Sequence, residues 1–314
     1  MTTQPRVLIT GVAGFIGSNL ADRLLKENYP VLGIDNLSYG VKEQIPSGVE
    51  FHKLDIRSKD IYPIFNNIDF VFHLAAKNCI SDCQADPVET SDVNITGTAN
   101  VFEAARRAKV KKVIYAESSA MYEGIHTLPT SEREIAAHTF YAVSKVCGNL
   151  FAESYRRFFD LTSVGLRYFN VYGPRQDYRR TMPPVMSSFI IKFLRKEQPV
   201  IYGDGKKLRD FIHVDDINAF HLLCMKDDRV DNKVFNLGSG ENYSVLEIYQ
   251  IIRDLLRASG DPMFKPALPG EAEATLADIS EAKKIGWKPN VDIKEGLRGL
   301  IDYIQREVKR GNIV

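Results

Sequence analysis

The chain is poor in the residues that mark specialised protein classes. It has one tryptophan and four cysteines in 314 residues. Thiols at positions 79, 83, 147 and 224 are too few for a disulfide framework, and none stands in a C-x-x-C pair. Cys79 and Cys83 would share a helix face, but no companion His or Cys stands near to complete a metal site. Buried, reduced thiols are the expectation. Charge of one sign is also lacking: 41 basic against 40 acidic residues leave +1, which gives nucleic acid or an anionic membrane nothing to bind. No apolar run approaches the ~18 residues of a spanning helix, and the first residues lack the apolar core of a signal peptide. Internal repeats and low-complexity segments are absent. The expectation is a cytoplasmic protein of ordinary composition, 44% hydrophobic and 26% charged. Its length fits one large domain or two modest ones.

What is present begins near the N-terminus. Arg6-Val7-Leu8-Ile9-Thr10 reads as a buried parallel strand, and Gly11-Val12-Ala13-Gly14-Phe15-Ile16-Gly17 follows at once. Ile16, Leu20 and Leu24 then recur at helical spacing. Strand, glycine turn and helix form the setting in which Gly11, Gly14 and Gly17 let the backbone approach a pyrophosphate at a helix N-terminus. A bare strand–helix turn without a ligand is the plainer reading. The second strand, Val31-Leu32-Gly33-Ile34, ends in Asp35-Asn36. A carboxylate about 20 residues past the glycines suits ribose hydroxyls and repels a 2′-phosphate. Position 36 is not arginine, so NAD is expected rather than NADP. A third strand, 49–54, ends in Asp55-Ile56, where Asp55 either meets the adenine amino group or caps the next helix. The fourth, 70–74, leads to Ala75-Ala76, small enough for a cofactor to lie close.

Further strand-like runs at 112–116 and 163–167 alternate with helical stretches. This alternation predicts a doubly wound parallel sheet of the Rossmann type, with ligands outside the strand C-termini. The pattern loosens after Gly173-Pro174. The expected division is a cofactor-binding unit over 1–172 and a smaller α/β unit over 173–314, from which some segments return to the first.

Tyr141 and Lys145 stand four residues apart, 23 residues beyond Ser118. On a helix both side chains project from one face. A tyrosine of ordinary pKa near 10 is a poor base, and a nearby ammonium favours its phenolate. A serine hydroxyl relays or steadies the proton. Together these groups suit reversible alcohol oxidation by a nicotinamide.

The ordered motifs resemble the extended short-chain dehydrogenase/reductase family, specifically its nucleotide-sugar epimerases and dehydratases, over nearly the whole chain. They are Gly11 to Gly17, Asp35-Asn36-Leu37-Ser38, Asp55-Ile56, His73-Leu74-Ala75-Ala76, Asn94 to Thr98, Ser118 to Tyr122 and Tyr141 to Lys145. Arg167 to Gln176, Tyr202 to Gly205, Arg209 to Asp216, Phe235 to Gly238 and Ala277 to Ser280 follow. Similar dehydratases carry an Asp-Glu pair directly after the catalytic hydroxyl, and related decarboxylases a glutamate two residues after it. Ser119 and Ala120 occupy those slots here. Glu117 precedes the serine and, in a strand, would point to the opposite face. The resemblance therefore implies NAD-dependent C4 epimerisation of a nucleotide-activated hexose, with a UDP-sugar expected. Ser118, Tyr141 and Lys145 would be catalytic. Alternatives are a 4,6-dehydratase or reductase of the same fold, and a non-catalytic dinucleotide sensor.

The resemblance also implies who touches what. Phe15, Ile16, Asn36, Ile56, Leu74, Ala75, Ala76, Lys77, Asn94 and Tyr168 would join the glycines, Asp35, Asp55, Tyr141 and Lys145 around NAD. Cys79, Ser118, Ser119, Asn170, Val185, Tyr202, Arg209 and Thr275 would face the nucleotide sugar. For Arg209 an ion pair with Asp210 or Asp204 is the competing reading, and for Asn170 a turn cap. Arg175-Gln176 is structural or ligand-facing. Relatives usually place an arginine where Leu268 stands, and Ser-Pro where Thr139-Phe140 stands. The first departure is expected to remove a phosphate contact, and Phe140 and Cys79 to reshape the pocket. Thr275 is small and would leave room for an N-acetyl group. Segments 94–108 and 141–159 would pair across a two-fold axis as a four-helix bundle, giving a homodimer.

Overall fold

The computed structural model describes residues 4–180, 183–267 and 272–313. Val7–Thr10 (β1), Val31–Asp35 (β2), Phe70–His73 (β4), Lys112–Ser118 (β5) and Ser163–Tyr168 (β6) are apolar runs because helices cover both faces of the sheet. Glu50–Lys53 (β3) exposes its charged ends, as an edge strand can. A seventh strand, Val234–Leu237 (β7), closes the other edge. The order is β7-β6-β5-β4-β1-β2-β3, and every pairing is parallel. The reversal beside β1 opens a crevice at the strand C-termini.

Helix Phe15–Lys26 (α1) links β1 to β2 and buries Leu20 and Leu24. Each buried side chain contributes roughly 1.5–3 kcal/mol. Val214–Lys226 packs on the same face of the sheet, with Phe220 against Phe235 and Trp287. On the opposite face, Gly97–Ala108 and Phe140–Phe159 cover Leu8, Val71 and Val113. The first of these helices does not start at Asn94 as expected. A π-turn over Asp92–Thr96 precedes it and carries Asn94 inward. Thr139 caps the second, its Oγ accepting from Ala142 N at 3.2 Å.

Beyond residue 172 a separate apolar cluster forms. Phe189 and Ile190 from Val185–Leu194, Ile248 and Ile252 from Val245–Leu256, and Leu297, Leu300 and Ile304 from Ile293–Lys309 pack together. Three small two-stranded ladders fringe it. The chain crosses between clusters more than once, because β7 and the helix 214–226 return to the main sheet.

Candidate active site

The strand C-termini place the fingerprint where the sequence implies. Gly11 has φ +76°, and a Cβ there would lie 2.7 Å from Ala75 N. A Cβ on Gly17 would lie 2.2 Å from the Gly11 carbonyl oxygen. Both positions therefore exclude a side chain. Gly14 is the N-cap of α1 with no side-chain cap, and the first turn carries no acid, so the leading N–H groups remain open to an anion. Asp35 is buried at the end of β2. Its oxygens accept from Ala13 N at 3.0 Å and Leu37 N at 2.8 Å, while burial raises its pKa.

Asp55 does not cap the next helical turn; Ser58 does. Instead Arg57 grips Asp55 at 2.8 Å and Asn36 donates to it at 2.9 Å. The hydrogen bonds from Arg57 pull its carboxyl down to about 2. Ile56, Leu74, Ala75, Ala76 and Lys77 line the same cleft. Asn94 does not line it. It lies beneath, accepting from Lys77 N at 2.8 Å and donating to the Lys77 carbonyl at 2.9 Å and to Ser144 Oγ at 3.0 Å. Tyr168 borders the cleft, but its hydroxyl is bonded to His221 Nε2 at 2.7 Å.

Ser118, Tyr141 and Lys145 converge on this cleft. Ser118 ends β5 and accepts from Ala120 N at 3.2 Å. Tyr141 is buried in the first turn of helix 140–159. Burial pushes its phenol up, and a hydrogen bond with Ser118 and the Arg180 guanidinium pull it down. The Lys145 ammonium donates to the Ala116 carbonyl at 3.0 Å and lies 5.9 Å from the Tyr141 ring centre. Desolvation brings Lys145 down to about 8, opposed chiefly by Glu117.

On the substrate side, Cys79, Ser119, Asn170, Val185, Arg209 and Thr275 all border the cleft. Asn170 begins a short strand rather than capping a turn, and its Nδ2 donates to the Asp210 carbonyl at 3.0 Å. Arg209 donates to the Leu208 carbonyl at 2.9 Å. The Asp210 carboxylate serves the N–H groups of Ser239, Gly240 and Ala277, and Asp204 lies 3.8 Å from Lys206. Thr275 Oγ accepts from Asp210 N at 3.1 Å. Tyr202 and Phe140 are not among the described residues that line the cleft, although Thr139 and Tyr141 on either side of Phe140 are, and Phe140 is 47% exposed. Leu268 lies outside the described residues. All four cysteines are free; Cys83 and Cys224 are buried, whereas Cys79 and Cys147 are partly exposed.

Motif reading missed Glu123 and left open what Arg175 and Gln176 do. Glu123 accepts from Thr139 N at 2.9 Å and Thr139 Oγ at 2.8 Å, fixing the capped start of the helix that carries Tyr141. Arg175 pairs with Asp22, and Gln176 accepts from Ser187 Oγ at 2.8 Å, so both brace the fold as well as bordering the cleft. The signal for these was long-range pairing, which no local pattern carries.

The cleft holds about 1320 Å³, above the roughly 300–1000 Å³ of a single small-ligand pocket. It has room for a dinucleotide and a second nucleotide-sized ligand side by side. The open N-terminus of α1, the side-chain-free glycines and the Asp35 carboxylate fit NAD. No group of His, Cys, Asp and Glu suited to a metal occurs among the described residues.

Known proteins match this arrangement closely. The model of the NAD dependent epimerase/dehydratase family matches residues 7–238. The UDP-glucose 4-epimerase of Mycolicibacterium smegmatis is 34% identical, over 96% of this chain and 99% of its own. A UDP-N-acetylglucosamine 4-epimerase from Methanobrevibacter ruminantium, solved with UDP-N-acetylmuramic acid, superposes with a TM-score of 0.93 at 35% identity, covering 98% of this chain and all of its own. The UDP-glucose 4-epimerase of Thermotoga maritima, solved with UDP-glucose, also gives 0.93, at 32% identity over 96% of this chain and 99% of its own. With matches of this extent added to the glycine turn, the parallel sheet and the Ser118–Tyr141–Lys145 cluster, the chain belongs to the NAD dependent epimerase/dehydratase family.

Proposed function

We propose that this protein catalyses NAD-dependent epimerisation at C4 of a UDP-activated hexose, through a transient 4-keto sugar. The observation that carries the reading is the convergence of Ser118, Tyr141 and Lys145 with no acid in the two positions after Ser118. Ser119 and Ala120 follow the serine. The carboxylates that flank the serine in sequence are engaged, Glu117 by Arg167 at 2.6 Å and Glu123 by the Thr139 backbone. A 4,6-dehydratase needs an acid to move protons at C5 and C6, and these two are committed elsewhere. A sensor would have no use for the intact trio.

Tyr141 takes the proton of the sugar 4-OH and later returns it to the C4 oxygen, once the keto sugar has turned its other face to the cofactor. Ser118, bonded to the tyrosine, bridges that hydroxyl and holds the proton in transit. Lys145 holds the cofactor ribose. The glycine turn and α1 bind the pyrophosphate, and Asp35 the adenosine ribose. NAD, when bound, supplies the acceptor and donor of hydride. Between the two transfers the keto sugar must turn over within the cleft, so the walls must retain both ligands. Asn170 and Arg209 would bind the diphosphate, a guanidinium being suited to bidentate phosphate contact. Thr275, beside the small Ala272 and Ala274, leaves room for an acetamido group at C2.

We also infer a cofactor unit over 1–172 and a substrate unit over 173–314, with helix 214–226 and β7 returning to the first. A homodimer built on helices 97–108 and 140–159 is supported by the apolar residues the second leaves exposed, Val143, Leu150, Phe158 and Phe159. No helix among the described residues is long and apolar enough to cross a membrane, consistent with the cytoplasmic placement we propose. The test is to incubate purified protein with UDP-glucose and UDP-N-acetylglucosamine and resolve products by NMR. Appearance of the C4 epimers supports the reading; a 4-keto-6-deoxy product, or net NADH consumption, overturns it.

A further inference from the structure

The loop that follows β2 lies as a flap along the cofactor side of the cleft, and its own packing does not hold it there. It leaves Asp35 through Leu37, whose φ of +61° is a conformation that leucine disfavours. Gly40 then brings the chain down: a Cβ there would lie 2.6 Å from Ala13 Cβ and 3.0 Å from the Asp35 carboxylate. Val41 N donates to the Ala13 carbonyl at 3.0 Å, so the loop folds back onto the glycine turn. Asn36, Ser38, Tyr39, Gly40 and Gln44 all border the cleft. Yet none of the described residues 36–44 is buried, and Tyr39 is 56% exposed. A segment with so little burial opens at low cost unless something outside it holds it.

Two ties from beyond residue 172 do so. Arg179 Nη2 donates to the Tyr39 carbonyl at 3.2 Å, across 140 residues of sequence. Gln44 Nε2 donates to Tyr303 Oη at 3.1 Å, across 259. Each tie starts from a fixed point. Tyr303 stands on helix 293–309 and packs against the second apolar cluster. Segment 174–179 is fastened at its start to α1, where Asn19 Nδ2 donates to the Pro174 carbonyl at 2.9 Å and Arg175 pairs with Asp22. At its end Asp177 accepts from Arg179 N at 3.1 Å and from Nε at 3.4 Å, which aims the guanidinium. Arg175, Asp177, Tyr178 and Arg179 border the same cleft.

We propose that Arg179 and Tyr303 are positioning residues that act through loop 36–44: they clasp it shut and so set how slowly a bound dinucleotide leaves the cleft. The epimerase reading gives the clasp its purpose, and the inference rests on that reading for this alone. Cofactor lost between the two hydride transfers would strand a keto sugar. Neither residue needs to touch the reacting atoms. Their effect belongs to cofactor release and not to the chemical step.

The readout is the release of bound NADH, followed by its fluorescence as excess NAD displaces it, with no sugar present. Tyr303→Phe keeps the ring and removes the hydroxyl. Gln44→Ala cuts the same bond from the other end, and Arg179→Met cuts the second tie. Each is expected to speed release about three- to tenfold, the usual scale of one intramolecular hydrogen bond. Gln44→Ala combined with Tyr303→Phe should be no faster than either alone, because the two sever one bond. Tyr303→Phe combined with Arg179→Met should be faster than both. A general loosening of the fold would not produce that pattern, and thermal melts confirm that the variants are folded. Should Tyr303→Phe fail to fold, Gln44→Ala reads the same tie from a partly exposed position. Release within about twofold of the parent in folded Arg179→Met and in either folded variant of the Gln44–Tyr303 tie overturns the proposal. Full additivity of Gln44→Ala and Tyr303→Phe overturns it as well, since Gln44 would then act on the cofactor without Tyr303. Because no substrate is present, faster release supports the clasp whatever products form, and unchanged release overturns it while the test for C4 epimers stands by itself.

Discussion

Replacing Tyr141 with phenylalanine separates chemistry from structure. The ring is 9% exposed, and phenylalanine fills the same volume. What leaves is one hydroxyl and its hydrogen bond with Ser118, a net contribution of about 0.5–1.5 kcal/mol. Ser118 keeps a partner in Ala120 N at 3.2 Å, so no buried hydroxyl is orphaned. Removing a buried phenol also relieves desolvation, and the two effects oppose each other. Stability should therefore change by about 1 kcal/mol or less, a few degrees in Tm at most. Turnover should fall by about 10²–10⁴-fold, because proton transfer at the sugar 4-OH loses its acid and base. That is about 2.7–5.4 kcal/mol of barrier, several times the stability change. The assay is kcat for UDP-glucose conversion, alongside calorimetric binding of NAD and UDP-glucose, with affinities expected within a few-fold of the parent. A variant with near-parental turnover would remove Tyr141 from the mechanism. A variant that had merely lost binding would show that the residue holds the cleft together instead.

Three further outcomes follow from the same geometry. With Lys145 held near 8 and needed in its charged form, kcat should fall as pH rises through about 8, roughly tenfold per unit above it; a profile flat to pH 10 contradicts that requirement. Asp35 at the end of β2 should make NAD bind at least about tenfold more tightly than NADP, since close like charges cost more than about 1.4 kcal/mol. Calorimetry of the parent and of Asp35→Asn should show the gap narrowing, and equal affinities in the parent would count against this role. Thr275→Tyr should suppress UDP-N-acetylglucosamine turnover roughly ten- to hundredfold while sparing UDP-glucose, on the scale of about 1–3 kcal/mol for overfilling a packed site. Equal slowing of both substrates would show that Thr275 is not the selector.

Most of the sheet was legible because parallel strands buried on both faces become continuous apolar runs, and β1, β2 and β4 are such runs. The glycine turn was legible because its steric demand falls on residues adjacent in sequence: Gly17 is excluded from carrying a Cβ by the Gly11 carbonyl. What escaped depends on pairing across long separations. β7 joins the sheet from beyond the expected boundary, through its register with β6. Asp55 lines the cleft, but that Arg57 and Asn36 hold its carboxylate is written in no local pattern. Tyr202 carries a family motif yet lies off the described cleft wall, and Phe140 begins its helix on the exposed side. Lys145 lies four residues from Tyr141, as helical spacing requires, but its ammonium is drawn to Ala116 rather than to the phenol. Spacing fixed the face shared by the two side chains and left open where the ammonium ends.

The central claim is that hydride leaves C4 and returns to C4 within one closed cleft. The most direct measurement uses UDP-glucose deuterated at C4, incubated with the protein as purified, without added nicotinamide, and followed by NMR. The account predicts UDP-galactose that retains deuterium at C4, formed without net NADH. Loss of the label to solvent, or turnover only with stoichiometric added cofactor, would contradict it.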